Sequence, residues 1–252
     1  AIVGTVSGTT ISFGTEVVFA SSYSSEEKVV FDSNSNKVVI AFVTGGNLKA
    51  IVGTVSGTSI SFGAVSDVDS SITHVSAAFD STAGKVVIAY RDGGNSNYGT
   101  AIVGTVSGTS ISFGAPVVFK AAAVIYTAVA FDSNANKVVI TYRDQGNSNY
   151  GTLSVGSVSG TSISFGSPVT FESAQTDDMD ITYDTNAQKV VIAYRDGGNS
   201  SYGTAIVGTV SGTSISFGTP TVFYSGTFLR PAIGYDSVAQ KVVIAHYRSE
   251  VI

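Results

Sequence analysis

Three copies of one polar segment carry most of the side chains that could bind a ligand. The segments are "YRDGGNSNYGT" (90–100), "YRDQGNSNYGT" (142–152) and "YRDGGNSSYGT" (194–204). Each brings arginine, aspartate, asparagine and tyrosine together, which suits hydrogen bonding to sugar hydroxyls and stacking on an apolar sugar face. The candidate ligand-binding residues in these segments are Arg91, Asp92, Asn95, Asn97, Tyr98, Arg143, Asp144, Asn147, Tyr150, Arg195, Asp196, Asn199 and Tyr202.

The same residues would also build a rigid turn. Each arginine could pair with an aspartate such as Asp92, Asp144 or Asp196, or cap loop carbonyls, and each tyrosine could pack back on its own loop. Arg248 stands at the equivalent position in the last copy. An arginine that only stabilises the loop, which we call a brace, would be repeated together with the framework. We therefore expect the arginines to act mainly as braces and the tyrosine-bearing tips of the loops to contribute to recognition.

A repeat of about 50 residues positions these segments. The sequence "SGT(S/T)ISFG" recurs with its phenylalanine at positions 13, 62, 113, 165 and 217. A second anchor, "KVVI", begins at positions 37, 85, 137, 189 and 241. The intervals are 48 to 52 residues, and five units account for the whole chain.

Each unit contains four strand-like segments, which in the third copy are 127–132, 137–143, 152–159 and 162–171. The run "VVIAY" is continuously apolar, as in a strand buried on both faces, whereas "SISFG" alternates, as in a half-exposed edge strand. Four antiparallel strands graded in this way predict one blade of a propeller. We therefore predict an all-β fold, a five-bladed β-propeller with strands A to D counted from the hub outward.

The two ends of the chain predict how the ring closes. The chain begins with a C strand (1–8) and a D strand (10–14), and it ends with an A strand (231–236) and a B strand (241–248). Together these halves would form a composite fifth blade. The predicted single domain, residues 1–252, has blade units at about 28–63, 74–114, 126–166, 178–218, and 229–252 with 1–14.

Antiparallel order places the B–C and D–A connections on one face of the propeller. The D–A segments, predicted as loops, are where the units differ most: 20–28, 66–74, 120–128, 172–180 and 224–231. A near-identical framework with divergent segments on one face is typical of a binding surface, although drift in unconstrained loops would look similar. The candidate binding residues here are His74, Tyr126, Asp178, Asp180, Tyr224 and Arg230.

Catalysis and metal binding have little support. The only histidines are His74 and His246, and there is no paired-histidine metal motif and no G-x-S-x-G segment. The "DSNSN" turn (32–36) resembles a calcium loop, but no bidentate glutamate follows, so turn capping by aspartate explains it better. A glycosidase needs two flanking carboxylates, and nothing marks a pair among Asp67, Asp69, Glu172, Asp177, Asp178 and Asp180. We predict no catalytic residue, no metal and no cofactor.

The composition excludes several classes of binding partner. The net charge is −5 with only 12% charged residues and no basic cluster, which argues against nucleic acid. There is no cysteine for disulfides or thiolate metal sites. No apolar run reaches membrane-spanning length, and the start lacks the charged region of a signal peptide, so we expect such a peptide to be absent or removed. We predict a monomer with no membrane partner.

Three resemblances to known proteins concern the architecture of the chain and where the protein occurs. The hairpin sequence "VSGTSISFGAPVVF" (106–119) resembles the Asp-box region of sialidase-like propellers, with Gly-Thr in place of the acidic turn, then Phe113 and Pro116. This implies blade architecture without sialidase activity, since the arginine triad is missing. Five near-identical units also resemble, in architecture, the tachylectin-type lectins, which bind amino sugars. The repeats are similar to those of uncharacterised marine phage and environmental proteins, which implies an extracellular or virion-associated setting.

We therefore expect a non-enzymatic recognition propeller that binds a glycan or another surface polymer through the B–C/D–A face. Two alternatives remain open. One is a structural or protein-binding propeller of a phage appendage or surface assembly, and the other is an enzyme on a five-bladed glycoside hydrolase-like scaffold.

Overall fold

The chain is all-β, and its sheets are antiparallel. A computed structural model describes residues 1–248, and neither residues 249–252 nor the side chain of Arg248 belong to the described part. Over that range the chain forms 22 strands and no helix. Four consecutive units have the predicted strand order A–B–C–D, in which each strand pairs with the next.

The strands are numbered in chain order. The N-terminal hairpin consists of β1 (Gly4–Ser7) and β2 (Thr10–Phe13). The first unit contains β3 (Ser25–Asp32), β4 (Lys37–Thr44), β5 (Asn47–Ser56), β6 (Ser59–Phe62) and β7 (Ser66–Ser70). The second and third units contain β8 (Ile72–Asp80), β9 (Lys85–Asp92), β10 (Tyr98–Ser107), β11 (Ser110–Phe113), β12 (Val117–Asp132), β13 (Lys137–Asp144), β14 (Tyr150–Ser159) and β15 (Ser162–Phe165). The remaining strands are β16 (Val169–Asp184), β17 (Lys189–Asp196), β18 (Tyr202–Ser211), β19 (Ser214–Phe217), β20 (Thr221–Tyr224), β21 (Phe228–Asp236) and β22 (Lys241–Arg248).

The D strand of each unit is split into two parts that both pair with strand C. In the third unit, β15 pairs with the distal half of β14, and the beginning of β16 pairs with its proximal half. The break at residues 166–168 contains Pro168, which cannot donate to a ladder. The single D strand predicted for residues 162–171 is therefore two segments.

The segments predicted as D–A loops are largely strand. β12 and β16 each run for 16 residues, from the D position of one unit into the A position of the next. The loop prediction for 120–128 and 172–180 was wrong because the crossing backbone finds partners in the B–C loops. Val124 N donates to Asn97 O at 3.1 Å, and Gln145 N donates to Ala123 O at 3.0 Å. These bonds confirm that the B–C loops and the D–A crossovers share a face.

The core lies between units. The B-strand run Val86–Tyr90 is at most 1% exposed, which confirms a strand buried on both faces. One apolar cluster combines B and C strands of the first and second units, and Phe113 packs against it. Equivalent clusters join the second unit to the third and the third to the fourth. Each inter-unit boundary is therefore sealed by the same repeated residues.

The turns away from the B–C loops are built as predicted. Asp32 Oδ1 accepts hydrogen bonds from the amides of Asn34 and Ser35 at 2.9 and 3.0 Å, and the equivalent aspartates do the same. In the C–D hairpins the first loop residue is a glycine with a φ near +60°, such as Gly8, as a type II′ turn requires. The aspartates of these turns therefore serve as caps.

The two chain ends form separate two-stranded sheets, β1–β2 and β21–β22, and no ladder joins them over residues 1–248. Val6, Phe13 and Val243 are 71%, 59% and 60% exposed. The N-terminal segment nevertheless packs on the first unit, where Phe19 lies 5.2 Å from Phe42 and 5.8 Å from Phe62 between ring centroids. The predicted strand pairing that would close the ring is absent from these sheets.

Candidate ligand-binding site

Five equivalent residues lie at a β-bulge near the start of each A strand. In the fourth unit Asp177 pairs with Arg195 and Asp180 pairs with Ala193, so strand A carries one extra residue. The residue inside the bulge has a positive φ, between 41° and 56°, in every unit: Glu26, His74, Tyr126, Asp178 and Arg230. This left-handed conformation costs an ordinary residue about 1–2 kcal/mol, and such strain concentrates at functional sites.

All five bulge residues line one pocket of about 210 Å³, which we call the axial pocket. A second cavity of about 290 Å³ shares Lys28, Thr127, Met179 and Pro231 with it. Because β3 and β21 both contribute to the lining, the first and last A strands meet around the same space. All five A strands therefore contribute residues to one pocket.

Hydrogen bonds between neighbouring units hold the rim in place. Glu26 Oε2 accepts from the amide of Val75 at 2.7 Å, and the hydroxyl of Thr127 donates to the carbonyl of His74. Asp180 Oδ2 accepts from the amide of Ile233 at 3.0 Å. One carboxylate of the axial pocket and one of the adjoining cavity are thus bound to backbone amides of the next unit.

His74 and Tyr126 form the aromatic side of the pocket. Their ring centroids are 5.6 Å apart in an edge-to-face arrangement, and the guanidinium of Arg143 lies 5.3 Å from the Tyr126 ring centroid. Burial, together with the charges of Arg91 and Arg143, lowers the pKa of His74 to about 4. The imidazole is therefore neutral at pH 7 and can both donate and accept a hydrogen bond.

Asp178 lines the same pocket, where the charge of Arg230 acts on it. Burial raises its pKa above the usual range, the charge of Asp177 adds to this, and the arginines Arg195, Arg230 and Arg143 oppose it. Asp180 lies deeper, where burial raises its pKa and two backbone amides and Lys28 counteract the rise. The axial pocket therefore combines an aromatic side with a side of mixed charge.

The predicted arginine brace exists, but with a different partner. Asp177 forms ion pairs with both Arg143 and Arg195 and also accepts from Gln175 Nε2 at 2.9 Å. Burial alone would raise the pKa of Asp177, but hydrogen bonds from Arg195 and Gln175 and the arginine charges hold it below its usual value. The brace thus links the third unit to the fourth.

The aspartates expected to pair with these arginines serve their own loops. Asp92 Oδ1 accepts from the amide of Asn95 at 3.0 Å, Asp144 Oδ1 from Gly146 at 3.0 Å, and Asp196 Oδ1 from Gly198 at 2.9 Å. The predicted Arg–Asp pairing within each loop was therefore wrong. An aspartate two residues from an amide closes a local turn more readily than it reaches an arginine across the strand.

The remaining predicted loop residues lie outside the lining of the axial pocket. Asn95, Asn147 and Asn199 are exposed, whereas Asn97 and the tyrosines Tyr98, Tyr150 and Tyr202 are half-buried. Tyr224 stacks near His246, with 4.6 Å between ring centroids. The structure brings His74, Tyr126, Asp178 and Arg230 together and leaves the loop asparagines and tyrosines around them.

Two of the six carboxylates considered for a glycosidase, Asp69 and Glu172, accept hydrogen bonds from buried tyrosines. Tyr90 Oη donates to Asp69 at 2.8 Å, and Tyr194 Oη donates to Glu172 at 3.1 Å, both between units. Lys120 stands at the position equivalent to Asp69 and Glu172, and it forms an ion pair with Asp144 at 2.6 Å. These contacts seal unit boundaries and lie away from the axial pocket.

Sequence analysis missed Glu26. It lies six residues before the turn aspartate Asp32, and His74, Tyr126, Asp178 and Arg230 lie six residues before theirs. Counting back from the repeated aspartate would have identified all five bulge residues. The prediction treated each divergent segment as a single loop, and it therefore did not use the constant spacing of six residues to the turn aspartate.

The described residues form neither a metal-binding cluster nor a membrane-spanning helix. Residues 1–248 contain no group of three or more histidine, cysteine, aspartate or glutamate side chains placed to hold a metal ion. They also contain no helix of the length and hydropathy needed to cross a bilayer.

Comparison with known proteins supports the fold alone. No protein-family model and no curated protein matches the chain. The crystal structure of AofleA from Arthrobotrys oligospora is similar with a TM-score of 0.57 and 9% identity, over 95% of this chain and 70% of that chain. At this identity the likeness concerns the arrangement of strands and not the ligand.

Proposed function

We propose that the chain is a five-bladed β-propeller that binds a glycan at the axial pocket, without catalysis. The observation that carries this proposal is the convergence of five chemically different residues, held at equivalent bulges, on one pocket: Glu26, His74, Tyr126, Asp178 and Arg230. A framework that repeats almost unchanged while its five axial residues all differ is what a recognition site needs.

The propeller assignment is supported by the pocket that β3 and β21 share. It is also supported by an aromatic trio that recurs between units. Phe119 packs on Tyr142 and Phe165, and Phe171 packs on Tyr194 and Phe217. Phe19 makes the same two contacts to the first unit, so the N-terminal segment occupies the place of a preceding blade.

A glycan fits the chemistry of the pocket. The ring of Tyr126 offers an apolar surface for a pyranose, and Glu26, Asp178, Arg230 and neutral His74 supply donors and acceptors for hydroxyl groups. Binding without hydrolysis is favoured because Glu26 and Asp180 are already bound to amides. Only Asp178 among these carboxylates has a raised pKa and no hydrogen bond in the described structure, whereas a glycosidase needs two carboxylates.

A glycan array probed with the wild-type protein and with Tyr126→Ala tests this proposal. We expect the wild type to bind a subset of glycans and Tyr126→Ala to lose that signal. Asn186→Ala, an exposed residue on an A–B turn, is the matched control and should bind normally. Binding that survives Tyr126→Ala, or hydrolysis of the bound glycan, would contradict the proposal.

A protein-binding or structural role on a surface assembly is the second candidate. It is favoured by the exposed apolar residues of the terminal hairpins, among them Val6 and Val243. An array without any glycan signal, together with a chain that associates with itself, would support this alternative.

A further inference from the structure

Most of the arginines of this acidic chain act on one pocket. The net charge is −5, yet four of the five arginines, Arg91, Arg143, Arg195 and Arg230, act on residues of the axial pocket. Arg91 and Arg143 act on His74, and Arg143, Arg195 and Arg230 act on Asp178. The sequence separates these arginines by 35 to 52 residues, and the repeat brings them together.

The facing carboxylates do not fully neutralise this group. The lining of the axial pocket itself contains two cations, Lys28 and Arg230, and two carboxylates, Glu26 and Asp178. Around this lining lie three more arginines and two more carboxylates, which act on its residues or line the adjoining cavity: Arg91, Arg143, Arg195, Asp177 and Asp180. Asp177 is shared by Arg143 and Arg195, and the charge of Lys28 acts on Asp180. One positive charge therefore remains in excess around a pocket in a protein that is negative as a whole.

Arg91 and Arg230 are the two arginines without an ion pair in the described part of the chain. Arg91 lies across the A–B ladder from Thr73, where the fourth unit has Asp177 opposite Arg195. Its Nε is buried and has no hydrogen-bond partner, as in Arg143 and Arg195, but those two arginines bind Asp177 through their terminal nitrogens and Arg91 does not. A half-buried guanidinium without a partner is costly, and an oxyanion is the group that satisfies it best.

We propose that the ligand of the axial pocket is an acidic saccharide whose ring contacts Tyr126 and whose oxyanion is bound by two arginines. One is Arg230, which lines the pocket, and the other is Arg91, which lies across the ladder from the residue before His74. This inference rests on the proposed glycan-binding function and names the ligand class. The oxyanion is a carboxylate or a sulfate ester, since a guanidinium fork binds both. The negative charge of the remaining surface would disfavour binding of such a polymer elsewhere.

Titration calorimetry with chemically matched saccharides tests the inference. The probes are an oligogalacturonate, the same oligomer with its carboxylates reduced to alcohols, and a sulfated galactan oligomer with its desulfated form. We expect the wild type to bind at least one charged probe and its neutral counterpart about tenfold or more weakly, the effect of one charge-assisted bond. The two charged probes distinguish a carboxylate from a sulfate ester.

Variants localise the contact. Arg91→Gln and Arg230→Gln should each lose about tenfold more affinity for the charged probe than for its neutral counterpart. Asp92→Asn, in the loop next to Arg91 but bound to its own backbone, is the control and should bind like the wild type. Thermal melts check that all three variants are folded.

The outcomes separate the two proposals. Equal binding of charged and neutral probes, or binding of neutral glycans only, overturns the acidic class and leaves glycan binding intact. Normal affinity for the charged probe in folded Arg91→Gln and Arg230→Gln also overturns it. A wild-type protein that binds none of these probes and no glycan on the array contradicts the proposed function itself.

Discussion

Arg143 and Asp177 belong to different units and form an ion pair across the boundary between them. Asp177 is 1% exposed, so its charge is compensated by protein groups rather than by water. Arg195, from the same unit as Asp177, binds its other carboxylate oxygen. One buried carboxylate therefore fastens two neighbouring units at their shared face.

This arrangement predicts unequal effects of three equivalent arginines. Arg143→Ala and Arg195→Ala should each lower the free energy of unfolding by about 1–3 kcal/mol, because each removes a partner from buried Asp177. Arg91→Ala should change it by less than about 0.5 kcal/mol, since Arg91 has no ion pair to lose. Urea unfolding of the three variants measures the difference. Equal destabilisation by all three would refute this assignment of the brace.

Asp177→Asn should be more damaging than either arginine change. It leaves two guanidinium groups without their carboxylate, and breaking a buried ion pair from one side costs about 3–5 kcal/mol. Asp184→Asn is the matched control, because Asp184 caps an exposed turn. Near-equal midpoints for the two variants in urea would show that the bridge contributes little.

Ring closure can be tested by cross-linking, because the chain has no cysteine of its own. If β22 pairs with the first residues of the chain as β17 pairs with β18, Val243 lies opposite Val3, just as Val191 lies opposite Val207. We expect Val3→Cys with Val243→Cys to form an intramolecular disulfide on oxidation, as should the control Val191→Cys with Val207→Cys. Disulfide-linked oligomers from the first variant alone would mean that the ends pair between chains.

The repeated phenylalanine offers an independent check on closure. Phe113→Ala should cost about 3 kcal/mol, because the ring packs against the cluster between the first and second units. Phe13 is the equivalent residue of the N-terminal hairpin and is 59% exposed. Phe13→Ala should match Phe113→Ala if the ring is closed in solution and cost much less if it stays open. Denaturant midpoints of the two variants decide this.

His74 gives a prediction for pH dependence. Its pKa is about 4 when folded and 6.5 when unfolded, so the unfolded chain binds the extra proton between these values. The contribution of neutral His74 to stability is therefore complete above pH 6.5 and is lost as the pH falls toward 4. NMR titration should place the pKa of His74 well below 6.5. Arg91→Ala should raise it, and a pKa near 6.5 in the wild type would contradict the buried, arginine-facing position.

The sequence predicts the repeating framework well and the site only in part. Runs such as Val86–Tyr90 specify a buried strand by their composition alone, and the turn aspartates specify their own capping. The bulge is not predictable in this way, because one extra residue leaves no trace in an apolar pattern. The grouping of the arginines is equally hard to predict. Because they lie about one repeat apart, they form no basic cluster along the chain, and yet several of them act on the same residue in the folded protein.

The bulge has a consequence for how this protein can change. Its backbone geometry is set by the flanking A–B ladder, and five different side chains already occupy it at comparable φ angles. If the pocket binds a ligand as proposed, a substitution of His74, Tyr126, Asp178 or Arg230 changes the chemistry offered to the ligand while the ladder and the turns keep their partners. A change of Glu26 also removes its hydrogen bond to the amide of Val75. The scaffold therefore separates heritable variation in specificity from variation in stability, and a library randomised at Glu26, His74, Tyr126, Asp178 and Arg230 would sample new binders within one fold.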